Sequence, residues 1–411
     1  MSNNFTISDF RYFYEKLDAR ILSLEQRVDN RLEHYGMKWE KGNSDPQARC
    51  TYLYDCANFT PMQCQNDGSV SMGSWANAFF IRNNYPAMVK PDGTIDYLLD
   101  PNDHSKKLDG ASSHVEDHEM DNAMAVFDCH IWIKMAEDET YQYIEVANQK
   151  LDDDFVDFPY HRADGTVKDK LYYPMFEGSI IGGKLRSLAT GAVPQSNTTA
   201  LEEQTAAQAN GANWSIGDWS HHLWMTLLSM LVSKSTCPEM ALGEGHTTGG
   251  LSAADMSKCG ELKTAGQFYG KPQSVSATSP VKLFFSENPY GNRLKRTLGM
   301  YNVLGTYYIK SSLPYTVDET YNGYENCGNN PSGNGYVKDL KLTSMGFVPS
   351  TVGGSASTYT GAYYAENDTQ IAMLLVGGSC GYGAQCGVWY LYLNSKPSVR
   401  TWFFGASLYL M

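Results

Sequence analysis

At 411 residues the chain exceeds what one apolar core ordinarily serves, so two or three structural units are expected. Only 19% of the residues are charged while Gly (37), Tyr (28) and Trp (8) are abundant, which favours short strands and aromatic packing over long helical bundles. A net charge of −13 repels phosphate backbones and no Lys/Arg run is interleaved with aromatics, which excludes nucleic acid as a partner.

The opening residues, MSNNFTISDFRYFYEK, lack a basic segment followed by an apolar run. No stretch approaches the ~20 apolar residues that span a bilayer, so a soluble protein made in the cytoplasm, without membrane insertion, is expected. Ile7, Phe10, Tyr14, Leu17, Ile21, Leu24, Val28 and Tyr35 recur at steps of three and four, with Arg31 interrupting the seam. The spacing predicts an oligomerising coiled coil over residues 1–36, ended by Gly36, and with it a homo-oligomer, a trimer being favoured.

From 37 to 158 short apolar or alternating runs such as AFFIRNNYPAMV, AMAVFDCHIWIKM and TYQYIEVA are separated by PDG, PND and LDG turns, which predicts a β-rich domain. Cys50, Cys56 and Cys64 have no CxxC spacing and no fourth ligand, and nine scattered cysteines argue for free thiols rather than a disulfide framework. His104, His114, Asp117, His118 and Glu119 cluster in a polar segment that lacks His–Glu–x–x–His order, so a solvated loop is expected and no metal is assigned.

Residues 159–411 form the third expected unit. Thr199 and Glu202 make a capping box that opens a helix ended by Gly211, and Trp219, Leu223, Leu227, Met230 and Leu231 predict a second helix over about 217–234. His221 and His222 lie on that helix without a nucleophile motif nearby, so they are expected to be structural. After 260 the chain is Gly-, Tyr- and Ser-rich with turns at NPYGN, GNNPSGNGY and GGSAS, and two helices among many short strands describe an α+β domain with long loops.

Three segments, YYPMFEGSIIGGKLRSLATGAVP (172–194), FFSENPYGNRLKRTLG (284–299) and GGSCGYGAQCGVWYLYLNSKPSVRTWFFGASL (377–408), resemble in order the C-type-lectin-like variable proteins of phage tails that are diversified by retroelements. The resemblance implies a C-type-lectin-like domain over 159–411, giving an α+β architecture of N-terminal coiled coil, β-rich middle domain and variable C-terminal domain. It also implies a non-enzymatic, cofactor-free tail-fibre or tail-tip protein of the virion that binds a host cell-surface receptor, protein or glycan, and joins other tail proteins. In that family adenine-directed mutagenesis rewrites Asn codons into Tyr, Ser, Cys, Val, Arg or Phe but never Lys, Gln, Trp, Met or Glu. The variable positions it implies are Ser379, Cys380, Tyr382, Tyr392, Ser395, Val399, Arg400 and Phe403, while Gln385, Trp389, Lys396 and Trp402 belong to the frame. Tyr and Arg suit such a surface because they give large contact area with few rotors to freeze. The Glu-Pro-Asn and Trp-Asn-Asp signatures of calcium-dependent sugar-binding lectins are missing, so neither calcium nor sugar follows.

Two alternatives stand beside this reading. Formylglycine-generating enzymes have a Gly-Asn motif that Tyr290-Gly291-Asn292 resembles and a redox cysteine pair after Gly-Gly-Ser, which here would be Cys380 and Cys386 after Ser379. In this chain the first cysteine follows Ser379 directly and the pair is one residue further apart. The other alternative is a structural tail protein that binds no receptor. The variable reading predicts that the genome encodes a near-repeat of residues 377–410, with Asn codons at the eight positions, beside a reverse transcriptase gene. Sequencing of the flanking region checks this, and a lone copy of the block would remove the argument for diversification.

Overall fold

The computed structural model describes residues 31–411. Among the described residues strands hold 34% and helices, four of them α-helices, 11%, so the expected α+β class is replaced by a β-rich fold with a nearly closed, barrel-like sheet. The seam residues 7–28 lie outside the described residues. Tyr35 and Gly36, its expected end, belong instead to the strand His34–Glu40. There Tyr35, Met37 and Trp39 point into the core while Lys38 and Glu40 point outward, a period of two that overlaps the heptad only at Tyr35. Gly36 acts as a spacer rather than a helix stop: a Cβ would lie 2.7 Å from the ring of Tyr54, which stacks on His34 at 3.8 Å.

Among the described residues three larger sheets, with three two-stranded ones beside them, build the molecule. A four-stranded antiparallel sheet runs Cys50–Tyr54, His34–Glu40, Tyr141–Ala147, Trp132–Glu137. A six-stranded sheet runs Trp214–Ile216, Leu408–Leu410, Leu171–Pro174, Asn122–Phe127, Asn84–Val89, Ile95–Leu98. It draws strands from both sides of residue 158, so the segments 37–158 and 159–411 share a sheet as well as a core. The largest sheet has nine strands. At its centre Leu294–Val303, Ile371–Gly377 and Gly387–Leu393 pair antiparallel, and the short strand Phe404–Gly405 joins Leu294–Val303 in parallel.

The helix Trp219–Ser233 passes between these sheets, and every residue but His222 is buried. A helix buried on nearly every side, with Ser, Thr and His among its residues, needs partners for its polar groups as well as apolar neighbours, and its contacts show how it is enclosed. Tyr52 Oη donates to Leu231 O at 2.7 Å, Tyr173 Oη to His221 O at 2.9 Å, and Trp219 Nε1 to Met345 O at 3.1 Å. Trp389 Nε1 reaches Met230 Sδ at 3.2 Å from the opposite sheet. Asp218 caps the helix by accepting from His221 N–H at 2.8 Å and also meets His221 Nδ1 at 2.9 Å, so this histidine ties the helix start together. His222 Nε2 donates to Val388 O at 2.9 Å, fixing the strand that follows Cys386. The shorter helix Ala200–Gln208 opens on the capping box of Thr199 and Glu202. No helix among the described residues is long and apolar enough to cross a membrane.

Trp389 is 1% exposed where strand meets central helix. Trp389→Ala is expected to lower stability by about 3–5 kcal/mol, the cost of emptying a buried aromatic site. Urea unfolding monitored by circular dichroism measures it.

Candidate ligand-binding face

A buried carboxylate brings the three segments of the resemblance together. Glu177 is 2% exposed and meets Arg293 Nε and Lys295 Nζ, each at 3.3 Å. Its other oxygen accepts from Asn288 Nδ2 at 3.1 Å and from Asn292 Nδ2. Arg293 in turn donates to Gln195 O and, at 2.7 Å, to Ala406 O in the C-terminal segment. A Cβ at position 405 would collide with Arg293 Nη1, so glycine is required for the guanidinium to pass. Backbone bonds complete the junction: Gly291 N–H to Gly377 O at 2.9 Å, Cys380 N–H to Asn292 O at 3.0 Å, and Leu294 N–H to Phe403 O at 2.9 Å.

On this base the eight candidate positions divide in two. Ser379, Cys380 and Ser395 are buried, at 1%, 0% and 7% exposure. Tyr382, Tyr392 and Phe403 are half-buried, and Val399 and Arg400 are exposed. Trp402, expected in the buried frame, is only half-buried and packs edge-on against Phe403 at 5.3 Å. Tyr382 stacks on Tyr390 at 5.8 Å and meets Phe403 at 5.9 Å, while Phe403 and Tyr392 both meet Phe404, at 4.9 and 5.8 Å. The patch continues through Tyr390 to Tyr363 and on to Tyr336, both half-buried. These two residues are absent from the set expected from the sequence. They reach the patch because Tyr336 pairs with Tyr363 across strands, and Tyr363–Glu366 runs parallel to Gly387–Leu393.

The backbone beneath the exposed positions is held firmly. Arg296, 1% exposed, pairs with buried Glu203 at 2.9 Å and donates to Thr198 O and Val399 O, both at 2.6 Å. Arg400 leans outward on Glu202 at 2.6 Å. Val399 and Arg400 therefore show their side chains from a fixed chain.

Cys380 and Cys386 are buried and unpaired. Burial pushes the Cys380 thiol up to about 11 and the Cys386 thiol further, and Cys386 Sγ donates to Ser379 O at 3.2 Å. Both are protonated thiols at neutral pH, the unreactive form.

The polar segment 104–119 is only partly the solvated loop expected. His104 is fully buried, donates Nδ1–H to Asp100 O at 2.8 Å and accepts at Nε2 from Lys282 at 3.0 Å, and burial lowers its pKa to about 3. His114, Asp117 and Glu119 are exposed. Asp96, His118 and Asp121 place ligand atoms within 4.8 Å of one another. The donor set does not suit a metal, because His118 Nδ1 accepts the Asp121 N–H at 2.9 Å, which puts the proton of the neutral ring on the Nε2 that faces Asp121. Lys90 already holds Asp96 at 2.8 Å.

A pocket adjoins the start of the block. It has a volume of about 270 Å³ and is lined by Glu239, Glu244, Ala384 and Cys386, among others. Glu239 is structural, accepting the Val388 N–H and, at 3.4 Å, the Cys237 thiol. Glu244, 9% exposed, has its carboxyl pushed up to about 7 by burial alone.

The chain matches no protein-family model, and none of the curated proteins matches it.

The raised Glu244 carboxyl makes a signed prediction. Its stabilising contribution is fully present below the unfolded value of 4.5 and is lost as pH rises through about 7, a difference on the order of 3 kcal/mol. Glu244→Gln removes that titration. Melting temperatures at pH 5 and pH 8 should therefore show the variant gaining on the wild type at the higher pH, and a constant gap would contradict the assignment.

Proposed function

We propose that the chain is a non-enzymatic binding protein of a phage tail, carried on the virion beside other tail proteins, whose C-terminal block presents a ligand-binding face to a receptor on the host cell. The observation that carries this reading is the separation of held backbone from displayed side chain. Tyr382, Tyr392, Val399, Arg400 and Phe403 offer half-buried or exposed side chains, while Arg296 and the Glu177 cluster pin the chain beneath them. Rigid aromatic rings with a neighbouring arginine are the residue types that dominate interfaces, because they desolvate large areas at small entropic cost. The convergence of the three resembling segments on Glu177 supports treating them as one unit. Buried, protonated Cys380 and Cys386 favour this reading over the cysteine-oxidase alternative, which needs accessible thiolates.

Tyr382→Ala and Phe403→Ala should each weaken binding of the purified chain to host cells by about 30-fold, the effect of losing an interface anchor. Melting temperatures should stay within a few degrees of the wild type, because both side chains are only half-buried. Unchanged cell binding by both variants would reject the face. Copper-dependent oxidation of a cysteine-containing peptide by the pure protein would reject the non-enzymatic assignment.

A further inference from the structure

The pocket beside the face holds a carboxyl group without a counter-charge. Glu244 Oε1 accepts only from Nε2 of the exposed Gln273, at 3.3 Å, and its Oε2 has no partner among the described residues. Glu244 N–H donates to Lys271 O at 3.1 Å, which fixes the backbone that presents the largely buried carboxyl to the pocket. Among the described residues, neither Glu244 nor Glu239 has a Lys, Arg or His within ion-pair distance. A buried carboxyl in that condition is costly to ionise, and evolution ordinarily removes or pairs it. The remaining lining includes Met240, Ala356 and Ala384, apolar side chains, with Met240 46% exposed at the rim. The pocket thus combines two carboxyls, of which Glu239 is already engaged by Val388 N–H and the Cys237 thiol, with a mixed wall that includes apolar Met240, Ala356 and Ala384.

Two features select the occupant. Cys237, Glu239, Glu244 and Cys386 do not bring three ligand atoms within 4.8 Å of one another, so the arrangement does not suit a bare metal ion. The volume of about 270 Å³ accommodates a short alkyl chain as well as a charged head. We propose that the pocket binds an alkylammonium group, the ammonium donating to Glu244 and the methylenes lying along Met240, Ala356 and Ala384. Ala384 is two residues from Tyr382, so the pocket extends the ligand-binding face proposed above, and its biological sense rests on that reading. A bound cation also removes the penalty that raises the Glu244 carboxyl. The other titratable groups facing it are Glu239, Cys237, Cys386, Tyr290 and Tyr336, none of them cationic.

The test is a calorimetric titration of the full chain with butylammonium, with butanol as the uncharged control. Saturable binding is expected at pH 8 and should weaken on going to pH 6 as Glu244 takes up a proton, while butanol should bind much more weakly. Glu244→Gln should weaken butylammonium by about tenfold or more, the loss of a charge-assisted hydrogen bond. N-acetyl-lysine N′-methylamide distinguishes sources: binding equal to that of butylammonium means a receptor lysine fits, and binding of butylammonium alone means a free amine does. Absence of saturable binding, equal binding of butanol, or wild-type affinity in Glu244→Gln would overturn the proposal. The pH profile and the butanol control are read on the wild type, so the outcome does not hang on folding of the variant. The titration needs no receptor. Failure here with cell binding intact rejects the pocket alone, whereas failure of cell binding rejects the face.

Discussion

Glu177 is the constraint on which the C-terminal half depends. A carboxylate taken from water loses solvation worth several kcal/mol, and only a matched set of charges and donors offsets the loss. Here two cations and two amides surround it, all contributed by residues 288–295. Because an ion cluster of this kind tolerates little misplacement, it acts as a register mark: the segment carrying Glu177 can meet residues 288–295 in one alignment only. Arg293 then passes the alignment on to Ala406, through the space left by Gly405. Removing one partner leaves charge buried without compensation, which is far worse than never having built the pair.

The second buried pair, Arg296 with Glu203, extends this logic to the displayed positions. Arg296 lies on the strand Leu294–Val303, three residues from Arg293, yet its guanidinium ends on the carbonyl of Val399. Glu203 belongs to the helix that Thr199 and Glu202 cap, and Glu202 meets Arg400. One capped helix therefore holds the 396–400 loop from beneath by a buried pair and touches it from outside by an exposed one. Charges in the frame keep the loop backbone still, so its side chains can differ without the fold having to follow.

Local signals in the sequence were legible and long-range ones were not. The capping box at Thr199 and the apolar spacing from Trp219 announce their helices because both are written within a few residues. The strand at His34 was hidden because Tyr35 satisfies a heptad and an alternating pattern at once, and only the partners Cys50–Tyr54 and Tyr141–Ala147 decide between them. Most of the α+β expectation failed for the same reason: strands such as Trp214–Ile216 and Leu408–Leu410 are three residues long and gain their identity from pairing across almost 200 positions. Within the face, the C-terminal positions were named by resemblance, whereas Tyr336 and Tyr363 entered it only through cross-strand pairing. Glu177 carried no signal at all, since a lone acid between Phe176 and Gly178 looks like any surface carboxylate until Arg293 is placed beside it.

Side-chain size at the eight candidate positions follows burial. The three buried positions carry Ser379, Cys380 and Ser395, all small, while the half-buried or exposed ones carry Tyr382, Tyr392, Val399, Arg400 and Phe403. Cys380 shows why. Its sulfur lies against the Cα of Gly250 so closely that a Cβ there would clash, and Gly250 N–H donates to Cys380 O at 2.8 Å. An aromatic ring at 380 would have to displace that backbone, and overpacking of this kind costs typically about 1–3 kcal/mol or more. At 382 and 403 the rings instead lean on one another and on solvent, so another large side chain meets no closed wall. A chain whose block is rewritten would thus be free in its choice only where the side chain leaves the core. At the inward positions 379, 380 and 395 a large replacement would have to displace packed neighbours, so folding itself limits which side chains these positions accept.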